Sequence, residues 1–197
     1  MIPIGPDHRK AIDALVAGAT AAAGIESPAG GRDPHVSLFA YEGVSRAEVE
    51  LAIEASLRAT EPFVIHAHGY GFFTGDNPAN LTLHVPVVRA EALDGLHARL
   101  WAKLRDAGAE IAPWSAPGLW TPHLTILDRA LDPPALGAAA AWLARRHHPS
   151  WSILVDRVVL TGSWPDRTGR AIPFGDLQTN DAGPVLGCGN GRRRRRS

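Results

Sequence analysis

The sequence predicts an α+β fold built from a duplicated unit, and two observations carry that prediction. A tetrapeptide of histidine, apolar, hydroxyl and apolar residues occurs twice, at 35–38 and 123–126, each time directly after a proline. Each copy is followed by an amphipathic helix pattern and then by a strand pattern that ends at Gly71 or at Gly162. Two such units related by a pseudo-twofold axis would bring both histidine segments together across one cleft.

The individual elements follow from hydrophobic periodicity and from start and stop signals. Ser45-Arg46-Ala47-Glu48 has the composition of a capping box, in which the serine and the glutamate satisfy each other's backbone N–H groups. The predicted helices begin near Pro6, Ser45, residue 90 and Asp132. The predicted strands are 35–40, 63–73, 80–88, 122–127, 152–161 and 171–177, with a turn at 75–78.

Strand alternation divides each tetrapeptide into a polar and an apolar face. His35 and Ser37 share one face, and His123 and Thr125 share the equivalent face of the second copy. Two imidazoles brought together can act as a general acid and a general base. A buried histidine satisfied by a nearby hydroxyl explains either copy alone, but it explains two copies with the same flanking proline less well.

Composition limits the classes of function. The only cysteine of the 197 residues is Cys188, so no disulfide framework or paired-cysteine motif exists, and a reducing, cytoplasmic location is expected. The N-terminus lacks the pattern of a signal peptide, and no apolar run reaches the roughly 18 residues of a membrane span. Residues 1–181 are predicted to form the folded domain. We also expect a monomer without an obligate protein partner.

Charge is unevenly distributed along the chain. Residues 192–196 are five arginines in a Gly-rich tail, 182–197, that we predict to be disordered. Without them the body carries 15 basic and 20 acidic residues, which is unlike a surface that tracks long RNA. A small charged substrate in a local pocket fits this balance better.

Further candidate residues are aromatic or histidine side chains near the motifs. Phe73, Trp120 and Trp164 are candidates for stacking on a nucleobase, as aromatic residues do in single-strand recognition. His66 and His68 share a strand face and, with His84 as a third ligand, provide an alternative reading as a zinc site.

At this point the chain resembles the two-histidine (2H) phosphoesterases, which include 2'-5' RNA ligase-like proteins and cyclic phosphodiesterases. The resemblance rests on 34–38 and 122–126, with the intervening strand 63–73 and the closing strand 155–162, and it covers roughly residues 7–177. It implies a bilobal fold in which two antiparallel sheets face a central cleft with helices outside. One departure is a serine, Ser37, where the first motif usually has threonine.

The resemblance also implies an activity and a set of roles. The expected reaction is opening of a 2',3'-cyclic phosphate of a nucleotide or an RNA end, without a metal or other cofactor. His35 and His123 would be the acid and base, in an order that the sequence leaves open, and Ser37 and Thr125 would bind the phosphate. The alternatives are RNA 2'-5' ligation, a binding module without turnover, and the metal-dependent hydrolase described above.

Overall fold

Helices separate groups of antiparallel strands along the described part of the chain, in the order that the sequence predicts. The computed structural model describes residues 1–25, 33–74, 81–128, 131–146, 149–161 and 169–175. In these ranges the helices are α1 (Pro6–Ala23), α2 (Arg46–Arg58), α3 (Glu91–Asp106) and α4 (Pro133–Ala144). The strands are β1 (Ile2–Pro3), β2 (His35–Val36), β3 (Tyr41–Glu42), β4 (Phe63–His68), β5 (Gly71–Phe73), β6 (Thr82–Pro86), β7 (Glu110–Ile111), β8 (His123–Leu127), β9 (Ser150–Val155), β10 (Arg157–Thr161) and β11 (Gly169–Pro173).

Both histidine motifs lie in one five-stranded antiparallel sheet, of strand order β1-β2-β8-β6-β5. Strands β2 and β8 are direct neighbours, with Val36 opposite Leu124. The α+β class is therefore confirmed. The predicted arrangement of two sheets that face each other across a cleft is not confirmed, because the motif strands pair edge to edge.

Strand β4 extends this sheet beyond β6. Ala67 forms an antiparallel bridge with Val87, and the amide of Val88 donates to the carbonyl of His66 at 2.7 Å. On its other side β4 pairs with β9 along its whole length, from Phe63–Val155 to His68–Ser150. The apolar residues of β4 and β9 that point inward, such as Ile65 and Ile153, are buried.

Local signals explain where the helices begin. Ser45 and Glu48 form the predicted capping box, with Ser45 Oγ accepting from the Glu48 amide and Glu48 Oε2 accepting from the Ser45 amide. Asp132 caps α4 by accepting from the Ala135 amide at 2.8 Å. Helices α1 and α4 approach closely at Gly18, where an added Cβ would lie 2.0 Å from the Trp142 ring.

Three predicted strands differ from the observed ones. The segment 35–40 forms a two-residue strand and then leaves the sheet, and β3 pairs with β7 instead. The segment 63–73 breaks between β4 and β5, where Gly69 adopts a φ of +75°. The segment 152–161 divides at Asp156 into β9 and β10, which pair with different partners.

No helix in the described part of the chain is long and apolar enough to cross a membrane. The predicted tail at 182–197 lies outside the described residues.

Candidate active site

The two motif histidines make the same local hydrogen bond. Nδ1 of His35 lies 2.8 Å from the carbonyl oxygen of Asp33, and Nδ1 of His123 lies 2.7 Å from that of Thr121. A carbonyl can only accept, so each Nδ1 carries the hydrogen and donates it. When either ring is neutral, its Nε2 therefore carries the lone pair. This is the tautomer in which Nε2 can accept a proton as a general base.

The motif side chains share one face of the sheet, as the alternation predicts. Val36 and Leu124 are buried, while the flanking motif residues His35, Ser37, His123 and Thr125 are not. This confirms the predicted division into an apolar face and a polar face for both copies.

The strand register brings the two motifs side by side in the sheet. Val36 lies opposite Leu124, so His35 lies on the side of Thr125, and Ser37, which follows the last residue of β2, lies on the side of His123. Directly opposed residues have Cβ atoms roughly 5 Å apart, and the diagonal pair of histidines is separated by roughly 7–8 Å. Two imidazoles and two hydroxyls at this spacing can surround one phosphate group.

The surroundings of His123 favour its neutral form. Burial lowers the pKa of His123 below its ordinary value, and the Thr121 carbonyl opposes this only in part. The titratable groups on the strands that flank β8 are His35 on β2 and His84 on β6. The neutral, Nδ1-protonated form of His123 is therefore favoured near neutral pH.

A third histidine, His84, supports His123 from the adjacent strand β6. The ring of His84 stacks on Phe73 at 4.1 Å and meets the His123 ring edge-on at 5.1 Å. Phe73 also contacts His123 edge-on, with ring centroids 4.8 Å apart. These two aromatic side chains cover one side of His123 and so contribute to the burial that lowers its pKa.

His84 itself is 4% exposed, and its Nδ1 has no hydrogen-bond partner of good geometry among the described residues. Burial, and then the neighbouring charge of His123, lower the pKa of His84 to about 4, with the Thr82 carbonyl opposing them. His84 is thus neutral beside His123. The sequence indicated His84 only as a possible metal ligand, and its contact with His123 follows from the pairing of β6 with β8.

The structure corrects the role proposed for Trp120. Trp120 is 2% exposed, and its ring stacks on His97 at 3.9 Å with an angle of 5° between the planes. Its Nε1 donates to the carbonyl of Ser37 at 3.1 Å. Since the ring lies in the core, Trp120 is not available to stack on a base. It holds the loop before β8 against the strand that carries the first motif.

The remaining candidates have different outcomes. Phe73 is half-buried beside His123, so contact with a substrate stays a prediction. Trp164 lies outside the described residues. The zinc alternative is not supported, because His84 is buried under Phe73 while His66 and His68 are exposed on β4. No three His, Cys, Asp or Glu side chains within the described ranges converge in a way that could hold a metal ion.

Fold and site together define a class of protein: an α+β domain that presents two histidine–hydroxyl motifs on one sheet face. The sequence profile of the 2'-5' RNA ligase superfamily matches residues 5–163, a stretch that includes both motifs. The chain belongs to that superfamily, which is the 2H phosphoesterase superfamily. Comparison with curated proteins finds no significant match.

The position of the His84 ring leaves no room for a side chain at residue 71, which is a glycine. Substitution of Gly71 therefore tests whether His84 is held against His123. A Cβ at Gly71 would lie 2.7 Å from Nε2 of His84, whose ring is already packed against Phe73. We expect Gly71→Ala to displace the His84 ring and to destabilise the fold by roughly 1–3 kcal/mol. Urea unfolding measures this change.

Gly137→Ala is the matched control, because Gly137 lies in α4 with nothing within 4 Å of its added Cβ. That variant is expected to be as stable as the wild type or slightly more stable. Equal stability of the Gly71 and Gly137 variants would show that His84 is not held in the observed position.

Proposed function

We propose that the protein is a metal-independent phosphoesterase that opens 2',3'-cyclic phosphates of nucleotides or RNA ends by paired-histidine acid–base catalysis. The observation that carries this proposal is the matched hydrogen bonding of His35 and His123: each Nδ1 donates to a backbone carbonyl, so Nε2 is the atom that can exchange a proton when the ring is neutral. Membership of the superfamily supports phosphoester chemistry in general.

The proposed reaction is a single hydrolysis step. Neutral His123 takes a proton from water at Nε2, and the water oxygen forms a bond to phosphorus. The bond between phosphorus and one ribose oxygen breaks, and protonated His35 gives its proton to that oxygen. The products are a phosphate monoester and a free ribose hydroxyl, and proton exchange with solvent restores both histidines. His123 is assigned as the base because its lowered pKa favours the neutral form.

The hydroxyl groups of Ser37 and Thr125 are proposed to donate hydrogen bonds to the non-bridging phosphate oxygens. Charge on these oxygens grows as water attacks, so donors fixed in advance stabilise the transition state more than the ground state. Both hydroxyls belong to the motifs that the Val36–Leu124 pair brings side by side, which supports a role for each at the same phosphate.

Turnover of a 2',3'-cyclic nucleotide is expected to survive exhaustive chelation and to follow a bell-shaped pH profile. Protonation of the base stops the reaction at low pH, and deprotonation of the acid stops it at high pH. Because the pKa of His123 is below its ordinary value of 6.5, the acidic limb is expected below about pH 6.5. Both apparent values belong to the coupled pair of histidines.

Initial rates in buffered EDTA across the pH range measure this profile. Loss of activity in chelator that zinc restores would contradict the proposal. An RNA with a 5'-hydroxyl, added as a second substrate, separates ligation from hydrolysis by its product.

A further inference from the structure

The outward face of β4 and β9 carries a second set of paired histidines and hydroxyls. The register places His66 opposite Ser152 and His68 opposite Ser150. All four residues are exposed, and Nδ1 of His66 and Oγ of Ser152 are hydrogen-bonded at 3.1 Å. We call these four residues the β4–β9 strip.

The strip lies on the same face of the extended sheet as the motif histidines. Ala67 and Val87 bridge the two strands and are both buried, so their neighbours along each strand point to the opposite, polar face. One step from the bridge puts His68 beside Pro86, and Pro86 lies opposite His123 on β8. Two strand spacings of about 4.8 Å then separate His68 from His123 by roughly 10 Å.

The chemistry of this surface suits a nucleotide. Imidazole and hydroxyl groups form hydrogen bonds with phosphate and ribose oxygens. The outward residues of the two strands include no acidic side chain that would repel a phosphate. At the far end of the strip, Val64 and Leu154 lie opposite each other and are 47% and 59% exposed, which provides an apolar surface for the face of a base.

We propose that the β4–β9 strip binds the nucleotide that precedes a 2',3'-cyclic phosphate end, so that the substrate is an RNA end rather than a free mononucleotide. This inference rests on the proposed function, because it places the cyclic phosphate at His35 and His123. The preceding phosphate and ribose then cross Pro86 and reach His68 and His66. A cyclic mononucleotide has no group that extends to the strip.

The test compares kcat/KM for 2',3'-cyclic CMP with that for a trinucleotide ending in the same cyclic phosphate, in EDTA. The wild type is expected to prefer the trinucleotide. In a His66→Ala/His68→Ala double variant, the trinucleotide-to-mononucleotide ratio is expected to fall by roughly fivefold for each hydrogen bond lost. His8→Ala is the control for loss of a histidine outside the strip, since His8 belongs to α1 and contacts the backbone carbonyl of Ser152, so that its replacement removes no side chain of the strip.

If the trinucleotide-to-mononucleotide ratio were unchanged in the His66→Ala/His68→Ala variant, the inference would be overturned. Turnover of the mononucleotide in the same experiment would still support the proposed function. If the wild type turned over neither substrate, the proposed function would fail. Fluorescence anisotropy of a 5'-labelled trinucleotide with a cyclic phosphate end then measures binding to the strip independently of turnover. Weaker binding by the double variant than by the wild type and His8→Ala supports the strip as a binding site, and equal binding overturns it.

Discussion

Replacing His123 with alanine is expected to lower turnover of a 2',3'-cyclic nucleotide by roughly 10²–10⁴-fold, the usual contribution of a positioned acid or base. Its Nδ1 is engaged by the Thr121 carbonyl, so Nε2 is the atom whose loss removes proton transfer. His35→Ala is expected to produce a loss of the same order, since the Asp33 carbonyl orients that ring in the same way. Steady-state rates with identical substrate and pH measure both effects.

The turnover of the His35→Ala/His123→Ala double variant is expected to fall by less than the product of the two single-variant losses, because acid and base act in one step. Ser37→Ala and Thr125→Ala are expected to cost less, roughly 10–100-fold, since each removes one hydrogen bond to a charged group. His8→Ala serves as the histidine control and is expected to retain wild-type turnover. Full activity of His35→Ala or His123→Ala on cyclic substrates would show that the paired mechanism is wrong.

Acidification is expected to destabilise the fold by several kcal/mol between about pH 6.5 and pH 4. His84 and His97 are 4% and 1% exposed, and burial is the main cause that lowers the pKa of each to about 4. The unfolded chain binds these protons near the ordinary value of 6.5. Stability is therefore complete above about pH 6.5 and is lost as the pH falls toward 4, by up to roughly 3 kcal/mol for each histidine.

His97→Phe separates this effect from general acid denaturation. The His97 ring stacks between Phe39 at 4.5 Å and Trp120 at 3.9 Å, and phenylalanine preserves that stacking without a proton site. The free energy of unfolding, measured in urea at a series of pH values, is expected to decline less steeply in this variant below about pH 6.5. Parallel curves for the variant and the wild type would show that His97 does not resist protonation.

Local chemistry made much of this molecule predictable from its sequence. The capping box at Ser45 and Glu48 depends on neighbouring residues, and so does the alternation that exposes His35 and His123 beside buried Val36 and Leu124. Family membership was predictable because the motifs are local and recur in a fixed order.

Long-range pairing was not predictable in the same way. Val36 and Leu124 are 88 positions apart, and no local preference states that their strands are neighbours in one sheet. His84 and Trp120 were separate candidates in the sequence, because tertiary packing alone decides that the His84 ring supports His123 and the Trp120 ring lies in the core. The strip on β4 and β9 depends equally on the Ala67–Val87 bridge.

The most direct test of paired-histidine hydrolysis is to identify the product formed from a 2',3'-cyclic nucleotide in ¹⁸O-labelled water and EDTA. A single fixed orientation of the phosphate between His35 and His123 predicts one phosphate monoester isomer, carrying one ¹⁸O atom on phosphorus, and its formation is expected to require both histidines. A mixture of 2' and 3' isomers, or product formation that persists in the His35→Ala/His123→Ala double variant, would contradict the account.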